Sequence, residues 1–167
     1  MADERAWSRG FLEQARADLD AAKSLQGRAP SVVAMLLQMA FEKLGKAALL
    51  RNRSLTVERA QATHRSASVL VSILRRRRGL GEDLGFRHAA DWRQALDFVV
   101  SLEAAHPQLA GDQPHLEYPW EAPPGAVCWP EEHLVVARRL VDSGERLGPK
   151  VLRLAVALSA RFDELFA

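Results

Sequence analysis

Apolar residues return every three or four positions along most of this chain, the period of a helix with one buried face. Trp7, Phe11, Ala15, Leu19, Ala22 and Leu25 form the first stripe, with Glu13, Arg16, Asp18 and Asp20 off it. This predicts a helix from Asp3 to Gln26, stopped by Gly27 and Pro30. A second helix, with Ser31 as its N-cap, runs through Val33, Leu36, Leu37, Ala40, Leu44, Ala47 and Ala48 to Arg51. Its apolar face is wide, which places it centrally, and Gly45 within it predicts close approach by a neighbouring helix.

His64, Ala67, Val71 and Leu74 make a third stripe, thickened by Leu70 and Ile73, with Thr56 and Thr63 as alternative caps. It closes on Arg75–Arg78 and Gly79. A fourth helix is expected from His88 to Ala105, along Ala89, Trp92, Leu96, Val99 and Leu102. Residues 107 to 130 carry most of the prolines with Tyr118, Trp120 and Trp129, and show neither a helical nor a strand period. Such a ring-rich loop is expected to pack on the helices. The helical pattern resumes at Pro130 through Leu134, Ala137 and Val141, then Val151, Leu154, Leu158, Phe162 and Leu165. Pro149 lacks the N–H that a continuous helix needs, so this stretch is either one helix kinked near Gly148-Pro149 or two helices end to end.

With no strand candidate, the expected fold is all-α: an up-and-down bundle of four to six helices, formed by residues 1–167 as one domain. Composition agrees, since Ala, Leu, Arg and Glu dominate while Ile, Thr and Tyr are scarce. A net charge of +2 is too small to indicate a polyanion partner, so only the placement of charge matters. The single cysteine, Cys128, excludes an internal disulfide and fits a reducing compartment. No apolar run approaches the ~20 residues of a bilayer span. Met1-Ala2-Asp3-Glu4-Arg5 is charged and leads straight into an amphipathic stripe, unlike a signal peptide, so a cytoplasmic location without membrane contact is expected. The wide apolar stripes, with Trp120 and Trp129, exceed what one small bundle readily covers, and a homodimer is expected.

Several segments in order resemble the HEPN family of bacterial and archaeal helical-bundle domains. They are Ala15-Arg16-Ala17-Asp18 with Ala21-Ala22; Glu42-Lys43…Lys46-Ala47…Leu49 in the second helix; Thr63-His64 running into Val69-Leu70; and Glu117-Tyr118-Pro119 before the last helices. The resemblance implies a dimerising module that associates with a nucleotidyltransferase partner or binds nucleotide or RNA. Some members are metal-independent ribonuclease toxins or defence effectors, carrying an Arg, then four to six residues, then a His, a spacing Arg59 and His64 meet. Position 66 is Ser where one toxin branch has Tyr, and Arg65 stands where Asp follows the His in another branch. A purely structural bundle is the third reading, and whether the chain is an enzyme stays open.

The chemistry of these residues can be weighed separately. His can act as acid or base near neutrality, and Arg can neutralise a phosphate. On one continuous helix, however, residues five apart diverge by ~140°. Arg59 and His64 converge only if the helix starts at Thr63 or two subunits combine. Glu42 and Lys46 have the favourable order for a surface pair on a helix, and Lys43 and Lys46 could alternatively face a phosphate. Arg65 and Arg75, Arg76, Arg77 and Arg78 make the 51–78 segment strongly basic, with Glu58 its one acid. Cys128, His133, His106 and His115 lack a compact ligand spacing, so neither a metal nor another cofactor is expected. Gly79, Gly81 and Gly85 follow a helix rather than a strand, which removes them as a phosphate loop.

Overall fold

The computed structural model describes residues 3–122 and 125–167. Met1 and Ala2 of the charged N-terminal segment, and Pro123 and Pro124 of the proline-rich loop, lie outside the described residues. The chain is an all-α bundle built on five long helices: α1 (Glu4–Leu25), α2 (Pro30–Arg51), α4 (Ser66–Arg76), α6 (Ala89–Ala104) and α10 (Leu147–Ala160). Shorter helices complete it: α3 (Val57–Ala62), α5 (Leu80–Asp83), α7 (Pro107–Ala110), α8 (Pro130–His133), α9 (Val135–Val141) and α11 (Phe162–Leu165). No described helix is long and apolar enough to cross a membrane.

Helix α2 is central, packing against α1, α4, α6, α9 and α10, and most of its residues are buried. Its wide apolar face is the cause, since a helix apolar nearly all round must be covered on every side. Gly45 makes the α4 contact possible: a Cβ there would stand 2.3 Å from the Ser66 carbonyl oxygen. The start of α2 differs from expectation. Pro30 occupies its first turn, where a missing N–H costs nothing, and Ala29 is the N-cap. Ser31 is not the cap. Its backbone N–H donates to Glu131 Oε2 at 2.9 Å and its hydroxyl bonds the same carboxylate, so a residue of α8 does the capping.

The two candidate caps of the third stripe mark separate helices rather than alternatives. Thr56 Oγ1 accepts from Arg59 N at 3.4 Å and starts α3. Thr63 ends α3, and its Oγ1 accepts from Arg65 N at 3.2 Å ahead of α4. His64 therefore lies in a bend.

The loop reading of 107–130 requires a correction. It contains α7 and a two-stranded antiparallel hairpin, β1 (Trp120–Ala122) with β2 (Ala126–Cys128), pairing Trp120 with Cys128. Strands of three residues are too short to display an alternating pattern. Leu116 is buried and Trp120 packs on the core, while Tyr118 is 63% exposed.

The last helical stretch is interrupted twice, at Leu134 and at Asp142–Arg146. The second break precedes Gly148-Pro149, which fall in the first turn of α10. Asp142 Oδ1 accepts from Gly144 N at 2.7 Å and Glu145 N at 3.3 Å, and Arg146 takes a left-handed conformation with φ 51°. Pro149 thus sits where its missing N–H has no partner to lose. A Cβ on Gly148 would approach the Leu140 carbonyl oxygen to 2.5 Å, so this glycine lets α10 fold tightly against α9.

Candidate functional site

Glu42 is the centre of a polar cluster drawn from three parts of the fold. It projects from the buried side of α2 and is only 8% exposed. Lys46, one turn on, places Nζ 2.7 Å from its Oε1, and Gln38, one turn back, donates Nε2–H to Oε2 at 3.0 Å. From the α3–α4 bend His64 brings Nδ1 to 3.2 Å from Oε1, and from the α6–α7 junction His106 brings Nε2 to 3.8 Å from Oε2. The two imidazoles stack with centroids 4.4 Å apart. A carboxylate only accepts, so His64 Nδ1 carries a proton in this contact. His106 Nδ1 accepts from Gln108 N at 3.2 Å as the cap of α7, which puts that ring's proton on Nε2, toward Glu42.

The local folding reasons are visible. Residues four apart share a helix face, which lines up Gln38, Glu42 and Lys46. Ser66 Oγ donates to the Glu42 carbonyl at 2.7 Å, fixing the bend that carries His64 against α2. Burial raises the proton affinity of Glu42, but the Lys46 ammonium, the Gln38 amide and His64 together outweigh it and hold the carboxyl below its ordinary pKa. For His106 burial dominates and, with His64 and Lys46, pushes the imidazole pKa down against the opposing pull of Glu42 and Glu117. Beside the cluster a cleft of about 180 Å³ opens between Met35, Met39, Lys43, His106, Leu116 and Glu117.

The structure distributes the sequence candidates over separate places. His64 belongs to the Glu42 cluster, whereas Arg59 is exposed on α3, across the Thr63 junction. The Glu42–Lys46 pair forms, but it is buried rather than solvated, with Lys46 6% exposed. Its spacing was readable and its burial was not, because α2 buries its polar face as well. Lys43 pairs with Asp18 of α1 at 2.5 Å. Arg65 is exposed at the N-cap of α4.

Arg75, Arg77 and Arg78 line a second depression, a groove of about 250 Å³ shared with Arg87, Glu82 and Trp92. Arg75 also pairs with Asp97, and Arg77 lies 5.4 Å from the Phe166 ring. Arg76 is exposed outside the groove lining.

Sequence spacing showed Glu42 only as half of a helix-surface pair, set His106 aside for want of a compact ligand spacing, and missed Arg87. His106 directly ahead of Pro107 is the signal of a helix start. No protein-family model, curated protein or solved structure matches the chain.

Proposed function

We propose that this chain is a HEPN-like helical module that binds the phosphates of a nucleotide or RNA, works as a homodimer, and associates with a nucleotidyltransferase partner. The observation that carries the reading is the groove lined by Arg75, Arg77, Arg78 and Arg87 together with Trp92, with Glu82 the one acid among its lining residues. Guanidinium groups match phosphate geometry bidentately, and an indole face offers a base a stacking surface. Exposed Val135 and Val141 on α9, beside Arg138 and the C-cap Asp142, give a second copy an apolar patch with charges of both signs. His64 is engaged by Glu42 and His106, a packing role that puts binding ahead of the Arg59–His64 ribonuclease.

The test is fluorescence anisotropy with a short single-stranded RNA and with ATP across a salt series. Wild type binds at low salt, and R77Q/R78Q/R87Q binds more weakly. Its salt slope for RNA falls by up to ~2, about 0.7 for each phosphate no longer neutralised. No binding by wild type at low salt removes the nucleic-acid and nucleotide reading and leaves the protein partner.

A further inference from the structure

We propose that Glu42, His64 and His106 form a binding site for one divalent transition-metal ion, of which Zn²⁺ is the best fit. The site is independent of the arginine groove. One candidate ligand atom from each residue lies within 4.8 Å of the other two. The His64 Nδ1 to Glu42 Oε1 separation is 3.2 Å and the His106 Nε2 to Oε2 separation is 3.8 Å. Around a tetrahedral ion with bonds of ~2.0–2.1 Å, ligand atoms stand ~3.4 Å from one another, so His64 and Glu42 are already near that spacing, while the set as a whole, within 4.8 Å, must draw together around the ion.

The donor set argues for the class of ion. Two imidazoles and one carboxylate suit zinc and its first-row neighbours, whereas Mg²⁺ and Ca²⁺ prefer an all-oxygen shell. The ligands come from α2, the α3–α4 bend and the α6–α7 junction, so the folded bundle holds them in place before any ion arrives. Glu42 and Lys46 are buried, while the cleft beside them, lined in part by Glu42 and His106, gives water access to a fourth coordination position. Three protein ligands with an open position is an arrangement zinc adopts readily.

Three existing interactions must yield, the first being the His64 Nδ1–H···Oε1 hydrogen bond, whose proton moves to Nε2 when the ion takes Nδ1. The Lys46 ammonium occupies Glu42 Oε1 at 2.7 Å and competes with the ion for the same carboxylate. A metal on His106 Nε2 places that ring's proton on Nδ1, which gives up the bond from Gln108 N. Lys46 is therefore the resident cation that a metal ion displaces. This makes an unusual demand on the variants: removing a lysine should tighten metal binding.

The experiment uses the full chain stripped of metal with a chelator and titrated with Co²⁺, read by its visible absorption bands, and with Zn²⁺, read by calorimetry. One equivalent is expected to bind. His64→Gln and His106→Gln should each weaken binding at least ~10-fold, and Lys46→Met should tighten it. Absence of saturable one-to-one binding overturns the site, as does one-to-one binding that both histidine variants leave unchanged. If a histidine variant fails to fold by circular dichroism, Lys46→Met decides: tighter binding supports the site, and unchanged or weaker binding overturns it.

Discussion

Gly45 lies so close to Ser66 that a Cβ on the glycine would come within 2.3 Å of the serine carbonyl oxygen. The neighbour is backbone and cannot rotate away. Gly45→Ala gains up to ~1 kcal/mol of helix propensity but must separate α2 from α4, and overpacking of this kind costs ~1–3 kcal/mol. A net loss of stability is expected in urea denaturation, together with weakening of the Ser66–Glu42 bond that positions His64. A variant more stable than wild type would contradict the close approach.

Removing Lys46 leaves a buried carboxylate with Gln38 and His64 as its remaining close donors. Breaking a buried pair costs ~3–5 kcal/mol, and those two donors bring the expected loss for Lys46→Met to the low end. Glu42→Gln in the same chain removes the stranded charge and should recover part of the loss. Urea midpoints for the two single variants and the double variant measure the coupling.

Acid should destabilise the metal-free protein in two stages. His106 has its pKa lowered in the folded state, so the unfolded chain takes up that proton first. Its contribution is complete above the ordinary histidine value of 6.5 and is lost as pH falls through the lower folded value. Glu42, also lowered, keeps its contribution above the ordinary carboxyl value of 4.5 and loses it below. Denaturation midpoints in the presence of a chelator should therefore decline from about pH 7 downward. His106→Asn should flatten the upper part of that decline and leave the lower part. A midpoint that rises on acidification would reverse the assigned directions.

The α9–α10 break separates the roles of two residues. Arg146 adopts φ 51°, a conformation that costs a side-chain-bearing residue ~1–2 kcal/mol, partly offset by the greater unfolded-state freedom of glycine. Arg146→Gly is expected to be neutral or to stabilise by up to ~1 kcal/mol. Pro149→Ala restores an N–H in the first turn of a helix, where it has no helical partner, and should cost no more than ~1 kcal/mol. Thermal unfolding of both variants checks the pair, and a large loss from Pro149→Ala would move the structural constraint to the proline.

The long helices were legible because each buries a stripe with a 3.6-residue period. Predicted bounds of Asp3–Gln26 and His88–Ala105 each lie within one residue of α1 and α6. Gly45 was readable too, since a glycine inside a strong helix signals close approach. The α5 and α8 turns and the β1–β2 hairpin were not, because three or four residues are too few to show a period. The Glu42 cluster was hidden for another reason. Its members are distant along the chain, and its lysine looked solvated because Glu42–Lys46 spacing is that of a surface pair. Only the burial of α2 on all sides turns that pair inward. The arginine groove was half readable: the run 75–78 stood out, whereas Arg87 joins it through the α5 turn.

The short link between α1 and α2 has a kinetic consequence. These two 22-residue helices form the most extensive helix–helix interface and are separated by only four residues, so their pairing closes a very small loop. Low loop-closure entropy favours this hairpin as an early folding event. Glu42 and Lys46 are then present before their partners, since His64 and His106 arrive only when α4 and α6 dock on α2. The stacking of the two imidazoles is thus a late marker of folding. A probe on either ring should report completion of the bundle, after helical signal from α1 and α2 has already appeared.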